Sequence, residues 1–174
     1  QSFSQRLSNS NSKFNNLGTM LSYKHLFPKQ GEELTADITY NKSRNSSTNL
    51  ISTDYYKVPG YTLQSAFKQQ QDGKGENENI VIQSDYVKPL NDKSKIELGV
   101  RAQIRKVDSR NDFFFLDNNG VAIYNPQLSV NYNSTDNVYA AYTTYTNQIK
   151  DFGYQLGLRL ESSDYNGQLP DKNQ

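Results

Sequence analysis

Apolar and polar side chains alternate strictly in Phe152-Gly153-Tyr154-Gln155-Leu156-Gly157-Leu158-Arg159-Leu160-Glu161. Because successive side chains of a β-strand point to opposite faces, this pattern predicts a strand with one apolar and one charged face. The apolar row consists of Tyr154, Leu156, Leu158 and Leu160, and the polar row consists of Gln155, Gly157, Arg159 and Glu161.

The same alternation returns in Lys95–Arg105, where the apolar row is Ile96, Leu98, Val100, Ala102 and Ile104. Both stretches contain the sequence Leu-Gly-(Val/Leu)-Arg. A strand of this kind belongs either to a soluble antiparallel sheet, whose apolar row faces a core, or to a membrane β-barrel, whose apolar row faces lipid. The two stretches alone leave both alternatives open.

The composition indicates that a compact soluble core would be thin. The chain has 174 residues, a net charge of +1 and 34% hydrophobic residues, whereas globular domains have roughly 45–50% apolar residues. The near-neutral charge gives no argument for a nucleic-acid partner. Cysteine is absent, which excludes disulfides, thiolate metal sites and a cysteine nucleophile. No apolar run reaches the roughly 18 residues of a transmembrane helix.

Alternation predicts about six main strands, in residues 17–27, 33–41, 79–88, 95–107, 136–146 and 153–163. Short turns near Pro28, Pro89 and Gln148, about 60 residues apart, join these strands into hairpins. Long polar loops are predicted in residues 42–78 and 108–128. The whole chain, residues 1–174, is interpreted as part of one domain.

Short turns at one end and long loops at the other are typical of outer-membrane β-barrels. Lipid cannot satisfy the hydrogen bonds of an open sheet edge, so such a barrel has to close. Bacterial single-chain barrels have at least about eight strands, more than the six predicted here. We therefore expect an all-β, antiparallel up-and-down meander that forms a segment of a large β-barrel in the outer membrane of a Gram-negative cell.

Three predicted hairpins also carry a family likeness. They contain Leu21-Ser22-Tyr23-Lys24-His25-Leu26-Phe27, then Ser84-Asp85-Tyr86-Val87-Lys88-Pro89-Leu90, and finally Asn137-Val138-Tyr139-Ala140-Ala141-Tyr142 before the strand quoted first. Together they resemble the barrel of Bacteroidetes outer-membrane proteins of the TonB-dependent receptor type. The likeness is strongest from Ile80 to Asp164.

This resemblance implies a barrel of about 22 strands around an N-terminal plug, with a function in solute uptake. It also implies the partners of the chain: outer-membrane lipid, the remainder of the barrel and the plug, and, through the full-length protein, TonB and a surface lipoprotein. Neither a plug nor a TonB box is visible in the sequence, so the chain is expected to be a barrel fragment. No ligand residues can be carried over from the family.

Five charged residues of the polar rows are candidates for lining the lumen of such a barrel: Glu97, Arg101, Arg105, Arg159 and Glu161. The competing interpretation is a structural ladder of charge pairs between strands. Gly99 and Gly157 occupy matching positions of the two motif copies, and glycine within a strand often marks a close approach of another group.

Phe113, Phe114 and Phe115 are candidates for contacting a ligand or partner from a long loop, although they could also continue the preceding strand. His25 is the single histidine and has no catalytic or metal-binding companions nearby in the sequence. We expect no catalytic residues, no metal site, no cofactor and no nucleic-acid partner, and therefore no enzyme.

The alternative function is that of a soluble secreted β-sandwich that binds a glycan or a protein through loops rich in tyrosine and asparagine. In a sandwich the apolar rows of two sheets must be buried against each other. The two hypotheses thus differ in whether those rows are covered by protein.

Overall fold

The computed structural model describes residues 2–170, which form one antiparallel sheet. Its strands, numbered in chain order, are β1 (Ser2–Leu26), β2 (Glu33–Lys57), β3 (Thr62–Asn91), β4 (Ser94–Leu116), β5 (Ala122–Tyr124), β6 (Val130–Ile149) and β7 (Phe152–Gln168). Within residues 2–170 we find no helix with the length and hydrophobicity needed to cross a bilayer.

The strands follow each other as an up-and-down meander. Their order across the sheet is β1-β2-β3-β4-β6-β7, and the short β5 pairs with β4. All of these pairs are antiparallel. The predicted all-β antiparallel meander is therefore confirmed.

Tight turns in residues 27–32, 92–93 and 150–151 lie at one end of the sheet, the short-turn end. In the first turn the Phe27 amide donates a hydrogen bond to the Glu32 carbonyl (3.0 Å). Gly31 has a φ of 80° there, a conformation that residues with a Cβ atom rarely adopt. The opposite end, the loop end, consists of residues 58–61 and of the segment 117–129, which contains β5.

The prediction of a long loop in residues 42–78 is wrong. Strand β2 continues to Lys57 and β3 begins at Thr62, which leaves a connection of only residues 58–61. Strand β1 likewise begins at Ser2 rather than near Leu17. These extensions are mostly polar on both faces, and their few apolar residues, such as the neighbours Leu50 and Ile51, do not alternate with polar ones, so the signal on which the strand predictions depended is missing.

The predicted loop in residues 108–128 is also wrong in its first part, because β4 continues to Leu116. The remaining segment, residues 117–129, is held to β4 by hydrogen bonds. The Ser129 hydroxyl accepts a hydrogen bond from the Phe113 amide (2.9 Å) and donates one to the Asn125 carbonyl (2.7 Å). Strands β6 and β7 extend beyond the predicted bounds 136–146 and 153–163 for the same reason as β2 and β3.

The sheet has almost no apolar core of its own. Among the described residues, the buried hydrophobic side chains are those of Ile51 (4% exposed) and Ala140 (8% exposed). A sandwich would need a second sheet over the apolar rows, whereas all seven strands belong to one sheet. The alternative of a soluble β-sandwich is therefore wrong.

Candidate functional site

One face of the sheet carries a band of exposed apolar side chains beside the short-turn end. The exposed fraction is 57% for Val100, 76% for Leu158 and 78% for Leu160. Strand pairing places Val100 and Leu160 in one row across the sheet, with Ala141 between them, and Leu158 in the next row. This apolar band includes Leu21, Ile38, Ile80, Ile82, Leu98, Val100, Ile104, Tyr139, Leu156, Leu158 and Leu160.

The height of the apolar band fits a membrane. Its row on β4 runs from Ile96 to Ile104, and a tilted strand needs about 9–11 residues to span the hydrocarbon layer. The strands themselves are much longer, because β2 has 25 residues and β3 has 30. More than half of each of these two strands therefore extends past the apolar band towards the loop end.

At the height of the apolar band, the opposite face of the sheet is polar. A single row crosses four strands there, because Asp85 on β3 lies opposite Gly99, Gly99 opposite Tyr142, and Tyr142 opposite Arg159 on β7. Side chains directly opposite each other in an antiparallel sheet share a face. We call this row the four-strand row.

Tyr142 connects the members of the four-strand row. Its ring covers Gly99 so closely that a Cβ atom on Gly99 would overlap the ring. Its hydroxyl passes over β4 and donates a hydrogen bond to the Asp85 carboxylate. The Arg159 guanidinium lies over the other part of the ring, 5.8 Å from its centroid. The close approach at Gly99 is thus what lets one side chain link β3, β6 and β7.

The adjacent row extends this network with amide side chains. Gln83 donates to the Asp85 carboxylate (2.8 Å), and Arg101 donates to the Gln83 carbonyl oxygen (3.4 Å) and the Gln103 carbonyl oxygen (3.2 Å). Gln103 in turn donates to Asn79 (3.1 Å). An open cavity of about 400 Å³ adjoins the network, lined by Gln83, Arg101, Tyr142, Thr144, Gly157 and Arg159 among others.

All five charged candidates lie on this polar face. Glu97 pairs with Lys95 (2.7 Å) within β4, and Arg159 pairs with Glu161 (2.6 Å) within β7. Arg105 pairs with Asp136, which lies directly opposite on the neighbouring strand β6 (3.0 Å). That the five residues line a lumen stays a prediction. Sequence reasoning missed Tyr142, Asp85 and Gln83, although a glycine in the polar row of β4 is the signal that a bulky neighbour covers it.

The three phenylalanines do not form one contact surface. They lie within β4, and consecutive side chains point to opposite faces. On the polar face, the Phe115 ring is 5.2 Å from that of Phe113 and 5.3 Å from that of Phe67. Phe114 instead faces the other side, 5.5 Å from Tyr124 of β5. The alternative that the three residues continue the preceding strand is therefore confirmed, and their placement in a loop is wrong. That they contact a ligand or partner stays a prediction.

Neither His25 nor any acidic cluster forms a metal site among residues 2–170, where no group of three or more histidine, aspartate and glutamate side chains could hold a metal ion. The His25 ring contacts Phe27 edge to face, with 4.6 Å between the ring centroids.

Beyond the apolar band, the same face becomes ionic towards the loop end. The Glu76 carboxylate pairs with the Lys42 ammonium (2.5 Å) and the Arg44 guanidinium (2.6 Å). The hydrogen bond and charge of Lys42, followed by those of Arg44, lower the pKa of Glu76, and Glu76 correspondingly raises the pKa of Lys42. Next to this pair, the Tyr40 hydroxyl donates to the Glu78 carboxylate (2.8 Å).

Comparisons with known proteins place the chain in a family. The model of the outer membrane protein beta-barrel family matches residues 25–174. No curated protein matches the chain. The ferric citrate transporter FecA in its unliganded form is 14% identical with a TM-score of 0.43, over 95% of this chain and 31% of that chain. The KdgM porin in complex with disordered oligogalacturonate is 10% identical with a TM-score of 0.14, over 91% of this chain and 98% of that chain.

The chain thus spans about a third of the length of the first of these two structures. The family match covers nearly the whole chain and gives the exposed apolar band its environment, the lipid of the outer membrane. The meander is a segment of an outer-membrane β-barrel, and the chain belongs to the outer membrane protein beta-barrel family.

Proposed function

We propose that this chain forms part of the wall and of the outer rim of a barrel of the TonB-dependent receptor type, which takes up a polar solute. The observation that carries the proposal is the polar face at the height of the apolar band. Asp85, Gln83, Arg101 and Tyr142 are hydrogen-bonded to each other there, directly behind side chains that contact lipid. Charged side chains at membrane depth are costly unless they face a water-filled or protein-filled interior.

The resemblance of the hairpins to TonB-dependent receptors supports the assignment to this receptor type and to solute uptake. It also supports a Bacteroidetes origin. In such a receptor the polar face would meet a plug, and TonB and a surface lipoprotein would act on the full-length protein. The five charged candidates, including Arg105 and Glu161, would line the interior around the plug. The proposal assigns the chain no catalytic step.

Two measurements on the intact purified protein test this proposal. We expect it to bind the isolated periplasmic domain of TonB in a surface plasmon resonance experiment, and to keep a planar lipid bilayer electrically closed when inserted alone. A protein that conducts ions steadily and has no affinity for TonB would be a passive pore, and the receptor proposal would then be wrong.

A further inference from the structure

Past the apolar band, towards the loop end, the two faces of the sheet differ in charge. Five successive rows on the face that carries Arg101 contain no charged residue. We call these 23 positions the neutral wall, and they lie within residues 8–16, 43–51, 69–77, 107–115 and 130–134. The opposite face of the same ranges carries four basic and four acidic side chains, among them Arg44 and Glu76.

The composition of the neutral wall differs from that of a face that only meets water. Charged residues make up 21% of the chain, and at that average about five of the 23 positions would be charged. Serine, asparagine and glutamine instead occupy 14 of them. Hydroxyl and amide groups both donate and accept hydrogen bonds. The neutral wall is therefore suited to contact an uncharged molecule that also donates and accepts.

The amides of the neutral wall lie around a flat part of β3. Gly75 has no side chain of its own, and the side-chain oxygen of Asn45 occupies the space where a Cβ atom would be. Along the same strand, the side chains of Gln69 and Gln71 make no hydrogen bond within residues 2–170. Each of these two amides thus keeps its donor hydrogens and its acceptor oxygen for a bound molecule.

Aromatic rings border the neutral wall at the loop end. The Phe115 ring, in the last of the five rows, is 5.2 Å from the Phe113 ring and 5.3 Å from the Phe67 ring. Phe67 is 41% exposed. Binding sites for small molecules combine such rings with a few placed polar groups. A sugar ring matches this combination, because its faces carry C–H groups that pack on aromatic rings while its edge carries hydroxyls.

From this combination we propose that the neutral wall binds a neutral oligosaccharide. This inference rests on the proposed function, because it requires the polar face to line the interior of the barrel. An anionic solute, such as a ferric citrate complex, would need basic side chains to bind its carboxylates. The basic residues that border the neutral wall on this face are Arg6 above it and Arg105 below it, and Arg105 is paired with Asp136.

Binding of the intact purified protein to an array of neutral and acidic oligosaccharides tests the class of solute, with ferric citrate as an additional anionic probe. We expect neutral members of the array to bind, and their affinity to change by less than about twofold between 0.1 M and 0.5 M salt, because no ion pair is involved. Binding only of acidic oligosaccharides or ferric citrate would overturn the inference, and so would the absence of any binding. A protein that still binds TonB would in either case remain a receptor, so the two proposals can fail separately.

Two neighbouring phenylalanines provide a matched pair of variants for the location of the site. Phe115→Leu should weaken binding of the best neutral oligosaccharide about threefold to tenfold, because an aromatic contact is lost while an apolar side chain remains. Phe114→Leu makes the same change on the opposite face and should leave the affinity unchanged. Equal affinities of the two variants would place the oligosaccharide elsewhere and overturn the assignment to the neutral wall.

Cysteine labelling tests the same location without altering the rings. In a cysteine-free form of the intact protein, Gln71→Cys and Gln70→Cys place a thiol on the neutral wall and on the opposite face, respectively. Both should react with a water-soluble maleimide, and the bound oligosaccharide should slow the reaction of Gln71→Cys alone. If Gln71→Cys fails to react in the free protein, the neutral wall is covered by protein, and the inference is wrong.

Discussion

The strands have a lower half, near the short-turn end, and an upper half, near the loop end. The two halves differ in the side chains that they carry on their two faces. Near the short-turn end, β4 presents Leu98 and Val100 on one face and Arg101 on the other, whereas near the loop end it presents Arg110 and Asn111 on opposite faces. The backbone ladder continues unchanged through both halves. The alternation therefore reflects the different polarity of the two faces in the lower half and is not a consequence of strand structure itself.

The largest expected effect comes from placing a charge in the apolar band. Val100→Arg should destabilise the intact protein in lipid vesicles by about 2–4 kcal/mol, because the guanidinium would lie near the middle of the hydrocarbon layer. Thr48→Arg lies on the same face in the upper half, where water surrounds it, and should change stability by less than about 0.5 kcal/mol. Urea-induced unfolding measures both, and equal effects would contradict the assignment of the two halves.

A second experiment compares the glycines of the two Leu-Gly-(Val/Leu)-Arg copies. Gly99→Ala should cost about 1–3 kcal/mol in the same unfolding assay, because the new methyl group displaces the Tyr142 ring. At Gly157 the nearest atoms, including Oγ1 of Thr144, would be 3.6 Å from the added Cβ atom. Gly157→Ala should therefore leave stability unchanged or raise it by up to about 1 kcal/mol. The opposite ranking would mean that Tyr142 does not occupy the space above Gly99.

The hydroxyl of Tyr142 should matter separately from its ring. Tyr142→Phe leaves the contact with Gly99 in place but removes the hydrogen bond to the Asp85 carboxylate, at a cost of about 1.5 kcal/mol. Tyr139→Phe, on the apolar face of the same strand, is the matched control and should be nearly neutral. If both substitutions are neutral by urea-induced unfolding, the link across β4 contributes nothing to stability.

The smallest expected effect concerns the ion pairs of the upper half. The pKa of Glu76 is lower in the folded protein than in the unfolded chain, so its contribution is fully present above the unfolded pKa, about 4.3. That contribution disappears as the pH falls through the folded pKa. Glu76→Gln should thus be less stable than the wild type at pH 7 and equally stable in strong acid. A stability difference between Glu76→Gln and the wild type that persists or grows in acid would contradict this pH dependence. At pH 7, high salt should reduce the difference.

The sequence predicted the lower half of the sheet well because one face there is apolar and the other is polar. Alternation located the apolar rows of β4 and β7, the order of the strands and the polar face that contains Arg101 and Arg159. It failed in residues 42–57 and 62–78, where most side chains on both faces are polar and the period-two signal vanishes.

Tyr142 was missed for a related reason. In Tyr139-Ala140-Ala141-Tyr142, both rows of β6 contain one tyrosine and one alanine, so composition could not assign the faces. Pairing resolves the ambiguity, because Tyr142 lies opposite Gly99 and Tyr139 lies opposite Ala102. The connection from Tyr142 to Asp85 spans 57 residues of sequence and crosses a strand, which no local pattern can indicate.

The most direct test of the central claim is a scan of single cysteines along β4, from residue 96 to residue 112, in a cysteine-free form of the intact protein in lipid vesicles. Spin labels at each position would report access to oxygen, which concentrates in lipid, and to a water-soluble nickel complex. We predict that from 96 to 104 the even positions are accessible to oxygen and the odd positions to nickel. From 106 to 112, both sets should be accessible to nickel. Uniform access along 96–104, or oxygen access at the odd positions, would contradict the assignment of the apolar face to lipid.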